Sequence, residues 1–80
     1  MMYDERRIEE AVLALLAAFC ADDGHTWKGY DFEVMNRLHE SGFIDNPVNK
    51  NKGVHLTPSG IQHGKELARQ LFERSSAADS

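Results

Sequence analysis

Five side chains of this chain have the chemistry of soft or borderline metal ligands, or of a nucleophile with its base: Cys20, His25, His39, His55 and His63. A structural zinc site draws its ligands from close pairs such as C-x2-C or H-x3-H. No pair here stands at such a spacing. Cys20 and His25 are near enough in sequence to meet across a turn, but a Cys–His nucleophile also needs an orienting third group and an oxyanion site. Cys20 lies in an apolar helical run, where a thiol behaves as a small hydrophobe. Asp22 and Asp23 are adjacent and read as loop residues rather than as an acid–base pair. The expectation is a non-enzymatic chain with no catalytic residue, no metal set and no cofactor.

A second chemistry is phosphate and base-edge contact. It requires long polar side chains on a helix and cations on a neighbouring loop. The candidates are Lys28, Asn36, Arg37, His39, Lys50 and Lys52. Between Lys28 and Lys52 four basic residues (Lys28, Arg37, Lys50, Lys52) face four acidic ones (Asp31, Glu33, Glu40, Asp45), so the region is neutral. Over the whole chain 13 carboxylates oppose 9 basic residues, a formal charge of −4. Phosphate neutralisation supplies most nucleic-acid affinity, so this balance does not favour nucleic acid as the partner.

The elements that must carry these residues follow from capping and periodicity. Asp4 caps a first helix running to about Cys20, with Ile8, Val12, Leu15, Leu16 and Phe19 as its inward stripe. Leu13, Ala14, Ala17 and Cys20 widen that stripe to most of the circumference, which implies burial on more than one side. Residues 21–30 read as a turn and a short irregular piece, with Trp27 plugging the core. Asp31 caps a second helix ending near Ser41, and Gly42 suits the C′ position. Phe43-Ile44 and Val54-His55-Leu56 flank a polar loop around Pro47, Lys50 and Lys52, the pattern of a β-hairpin. Thr57 and Pro58 then open a last helix with Ile61, Gly64, Leu67, Ala68, Leu71 and Phe72 on its apolar face.

The reading is an α+β fold: one small domain over residues 1–74, three helices, and a two-stranded hairpin, or wing, before the last helix. Residues 75–80 read as a disordered tail. The expected core is Ile8, Val12, Leu15, Leu16, Phe19, Trp27, Met35, Leu38, Ile44, Leu56, Leu67 and Leu71. A chain of 80 residues buries only about 60% of its unfolded surface, so self-association is a natural remedy. Leu13, Ala17 and Cys20 on the first helix and Gly64 on the last are the expected homodimer interface. One cysteine, no basic leader, and an apolar run of only 11 residues at 11–21 suit a cytoplasmic chain with no membrane segment.

Several segments carry a resemblance. They are Ala11-Val12-Leu13-Ala14-Leu15-Leu16, Trp27-Lys28-Gly29-Tyr30-Asp31-Phe32, Arg37-Leu38-His39-Glu40-Ser41-Gly42-Phe43-Ile44, Asp45-Asn46-Pro47-Val48, Leu56-Thr57 and Gly60. Together they resemble a family of small uncharacterised bacterial proteins, a domain of unknown function, which implies no activity and no site residues. A looser resemblance, on Leu38 to Ile44 and Leu56 to Gly60, is to winged-helix regulators of the multidrug-resistance and phenolic-acid repressor type. It implies a wing between two helices. The short stretch from Asp22 to Tyr30 departs from that pattern, because a full winged helix has a further helix there. The functional expectation is a winged-helix-like module acting by protein–protein contact in a regulatory role. The alternative is a weak DNA-binding transcriptional regulator.

Overall fold

The side chain of Asp4 accepts hydrogen bonds from the backbone N–H groups of Arg6 and Arg7 and so starts the first helix, α1 (Glu5–Ala18). Asp31 does the same for Val34 and opens α2 (Phe32–Glu40). Thr57 accepts from Gly60 N–H, with Pro58 next, and opens α3 (Pro58–Phe72). All three caps are the residues the sequence names. Gly42 follows α2 with φ of +84°, the left-handed conformation expected of a C′ glycine. The computed structural model describes residues 3–50 and 52–73. The expected tail at 75–80 lies outside the described residues.

Among the described residues the fold is α+β, three helices with a two-stranded antiparallel sheet. Strand β1 (His25–Trp27) pairs with β2 (Gly53–His55) in the register His25↔His55, Thr26↔Val54, Trp27↔Gly53. The hairpin between α2 and α3 is present on the other side of β2. Ile44 bridges Leu56, Asp45 N–H donates to the His55 carbonyl, and Thr57 N–H donates to the Phe43 carbonyl. What differs from the sequence reading is the partner: β2 takes its regular ladder from β1, in a stretch read as irregular. Thr26 explains why. Its hydroxyl is buried and donates to the Leu16 carbonyl at 3.0 Å, pinning the strand to the end of α1.

The core is Val12, Leu13, Ala14, Leu16 and Ala17 from α1, Val34, Met35 and Leu38 from α2, and Ile44, Val54, Leu56 and Leu67. The expected set holds at Val12, Leu16, Met35, Leu38, Ile44, Leu56 and Leu67, and Leu15 is half-buried. Four expected members lie outside: Ile8 is 38% exposed, Phe19 77%, Trp27 60% and Leu71 55%. The stripe on α1 is therefore turned from the one its largest side chains suggest. The cause is α3, which approaches α1 at Gly64. A Cβ on Gly64 would lie 2.7 Å from the Ala17 Cβ and 3.1 Å from the Leu13 carbonyl oxygen. Close approach is available where side chains are smallest, so Leu13, Ala14 and Ala17 go inside and the bulkier Ile8 and Phe19 turn outward.

The same packing places the expected dimer residues. Leu13, Ala17 and Gly64 form the contact between α1 and α3 of one chain, and Cys20 packs half-buried against the same core. Leu13, Ala17 and Gly64 are thus buried within one chain.

Candidate interaction surface

Three of the six expected nucleic-acid contacts are occupied by the fold. Arg37 leaves α2 toward α1, where its Nε donates to Glu9 Oε2 at 2.5 Å and its Nη2 lies 3.8 Å from Glu5 Oε1. The Glu9 hydrogen bond, then the charges of Glu9, Glu5 and Glu33, raise the Arg37 pKa and keep the group a cation. The Lys28 ammonium donates to the Pro47 carbonyl at 2.9 Å, the Asn49 carbonyl at 3.0 Å and Asn49 Oδ1 at 2.8 Å. It acts as a clamp on the loop between Ile44 and β2. His39 Nδ1 sits 3.1 Å from the Ile44 carbonyl oxygen. Asn36 is half-buried, and Lys50 and Lys52 are exposed. The exposed part of α2 carries Phe32, Glu33 and Glu40, an aromatic and two carboxylates where a DNA-reading helix needs donors.

A second group gathers at the sheet. His55 Nε2 is 3.8 Å from Asp23 Oδ2, and His55 Nδ1 is 3.8 Å from Asp45 Oδ2. The His25 ring meets His55 edge-on at 5.1 Å. Each carboxylate is held by a backbone donor, Asp23 by His25 N–H and Asp45 by His55 N–H. The His25 N–H, helped by the His55 and His25 side chains, keeps the Asp23 carboxyl below its ordinary pKa. The two carboxylates address opposite nitrogens of one ring, so they do not converge on a common point. Among the described residues no group of three His, Cys, Asp or Glu converges to hold a metal ion. The arrangement ties together the turn before β1, the start of the wing loop, and β2.

The third feature was missed from the sequence. Phe19 and Trp27, both expected in the core, stand exposed on one side of the sheet and line a groove of about 530 Å³ with His25, Lys52 and Gly53. Phe19 is the C-cap of α1 with φ of −110° and ψ of 9°, so it has already left the helical register. Trp27 and His25 share the outward face of β1 while Thr26 points in. The indole lies back over Gly29, where a Cβ would fall 1.9 Å from the indole Nε1.

Residues 4–74 match the family described as "Domain of unknown function (DUF6429)". The chain belongs to this family. It is 46% identical over 74 residues to a protein of Sinorhizobium fredii described as "Uncharacterized protein y4hR", covering 92% of this chain and 100% of that relative. No solved structure matches this DUF6429 chain. No helix among its described residues is long and apolar enough to cross a membrane.

One signal in this DUF6429 sequence foretells the exposed tryptophan. His-Thr-Trp alternates, and a small polar residue between two large ones fits a strand whose inner face is crowded. Reading residues 25–27 at period two sends Trp27 outward. Phe19 carried no such signal, because its exposure depends on where α1 stops. The Lys28 clamp is testable by itself. Lys28→Met is expected to speed hydrogen exchange at the Val48 and Asn49 amides by about fivefold, as loss of roughly 1 kcal/mol of local hydrogen bonding would. Exchange in α1 and α3 stays unchanged. Unaltered loop exchange would mean the ammonium holds nothing.

Proposed function

We propose that this chain is a non-enzymatic, winged-helix-like module that acts by protein–protein contact in a regulatory role. The observation that carries the reading is the exposed aromatic groove of Phe19 and Trp27. Exposed aromatics beside a fixed scaffold are typical anchors of protein contact. The same reading draws support from Arg37 and Lys28, whose charges are spent on Glu9 and on loop carbonyls. Order along the chain also supports the winged-helix comparison: helix, strand, helix, wing loop, returning strand, helix.

Homodimerisation belongs to this proposal, through the apolar side chains that α1 and α3 leave outside. Ile8 and Leu71 are exposed, and Phe72 is 48% exposed. Sedimentation at tens of micromolar is expected to give a species near twice the 9.0 kDa chain mass, returning to the single-chain mass in Leu71→Ser/Phe72→Ser. A single-chain mass for the unmodified protein removes the dimer from the proposal.

The second reading, a weak DNA-binding regulator, is favoured by one observation: Lys50 and Lys52 stay exposed on the wing loop. A mobility-shift titration with duplex DNA at low and physiological salt separates the two. The contact reading expects no shift at either salt. A shift at low salt that weakens steeply with added salt, and that Lys50→Ala/Lys52→Ala abolishes, would replace it with the DNA reading.

A further inference from the structure

The register of the sheet fixes what β1 offers on its outer edge. Leu56 N–H donates to the Gly24 carbonyl and Lys28 N–H to the Lys52 carbonyl. Alternation along an antiparallel pair then gives Thr26 and Val54 the mutual hydrogen bonds, and turns the N–H and C=O of His25 and Trp27 away from β2. At His25 both outward groups are used: its N–H donates to Asp23 Oδ1 and its carbonyl accepts from Ala21 N–H. At Trp27 the outward pair faces the side of the strand where, among the described residues, no further strand follows. An edge of this kind is a template for an added extended chain.

The groove beside that edge has a definite chemistry. Phe19 and Trp27 give it apolar walls, and Gly53, paired with Trp27, keeps its floor low. A Cβ on Gly53 would lie 2.6 Å from His25 Nε2 and 2.5 Å from the Thr26 carbonyl oxygen. Among the described residues that line the groove, Lys52 is the one lysine, arginine or carboxylate, so the lining holds a cation and no anion, with the His25 imidazole beside it. On a chain of net charge −4, this is a local site of opposite sign.

We propose that the groove along β1 binds an extended, acidic segment of a partner protein. The segment adds backbone hydrogen bonds at Trp27, lays an apolar side chain between Phe19 and Trp27, and sets a carboxylate against Lys52. This rests on the protein-contact reading and names the partner's chemistry. A cationic segment would meet Lys52 with like charge. A nucleic-acid strand would need further cations, and Lys28 is committed to the loop carbonyls.

The test uses the full chain and fluorescein-labelled hexapeptides, one alternating glutamate with leucine and its twin alternating lysine with leucine, followed by anisotropy. Saturable binding is expected for the glutamate peptide, and weaker binding for the lysine peptide. Lys52→Glu should weaken the glutamate peptide by about threefold, the range of an exposed charge pair. Trp27→Ala should weaken it by about tenfold or more, as loss of a central anchor does. Circular dichroism checks that each variant folds, and Phe19→Ser serves as the second anchor variant if Trp27→Ala does not. Equal binding of the twins, indifference to Lys52→Glu, or no binding of either overturns the proposal. So does self-association that Phe19→Ser abolishes, which would give the groove to a second copy. Peptide failure without a DNA shift removes the acidic segment as the groove's occupant and leaves the contact reading standing, whereas a salt-sensitive DNA shift removes the contact reading itself.

Discussion

Gly60→Ala is expected to destabilise this chain by about 3 kcal/mol or more, at the upper end of what overpacking costs. Gly60 is buried in the first turn of α3. A Cβ there would lie 1.9 Å from the Phe43 carbonyl oxygen and 2.8 Å from its carbonyl carbon. Those are backbone atoms, and they are held. The Phe43 carbonyl accepts from Thr57 N–H, and the Thr57 hydroxyl donates to the Gly42 carbonyl at 2.6 Å. The segment before the wing and the start of α3 are stitched together on both sides of the clash, so neither moves without breaking a hydrogen bond. Helix propensity acts in the opposite direction: alanine for glycine in a helix stabilises by about 1 kcal/mol where there is room. The sign of the measured effect therefore decides between the two. For a domain of this size, 3 kcal/mol corresponds to a fall of roughly 12–24 °C in the thermal midpoint. An unchanged or raised midpoint would mean that α3 does not seat against Phe43.

The second large effect belongs to Leu13→Ala, with an expected loss of about 2–5 kcal/mol. Leu13 is 1% exposed and lies under Gly64 at the contact of α1 with α3. Small domains have total stabilities of only about 5–15 kcal/mol, so this one truncation takes a large share. Denaturant unfolding followed at several protein concentrations checks the assignment. A core residue lowers the midpoint by the same amount at every concentration, whereas an interface residue abolishes a concentration dependence. Phe19→Ala, at the C-cap of the same helix, is the control and should cost far less, since its ring is exposed. If Phe19→Ala proved the more costly of the two, the inward face of α1 would be the one its largest side chains suggest.

Much of the architecture was legible because it is written locally. Asp4, Asp31 and Thr57 each cap within three residues of themselves, Gly42 takes its left-handed φ at the residue after α2 turns off, and Ile44 and Leu56 flank a loop of turn formers. Such signals need no knowledge of the rest of the chain. Family membership was legible too, because it rests on runs such as Arg37-Leu38-His39-Glu40 that the chain carries whole. The candidate site was not. Arg37, Lys28 and His39 looked like free donors because nothing in sequence shows that Glu9 stands 28 residues away in chain and 2.5 Å away in space, or that the Lys28 ammonium reaches the Pro47 carbonyl.

The inward face of α1 shows the division most clearly. Its sequence alone determines that it is a helix and that it is apolar over most of its circumference. It offers two overlapping stripes, one through Ile8, Val12, Leu15, Leu16 and Phe19 and one through Val12, Leu13, Leu16 and Ala17. Hydrophobicity favours the first. The tertiary structure takes the second, because Gly64 on α3 needs a shallow surface to approach, and Ala17 beside Leu13 provides it. The same choice pushes Phe19 out beyond the end of α1, and the pairing of β1 with β2 turns Trp27 to the same side. An exposed aromatic groove thus exists because two backbones packed where the side chains were smallest.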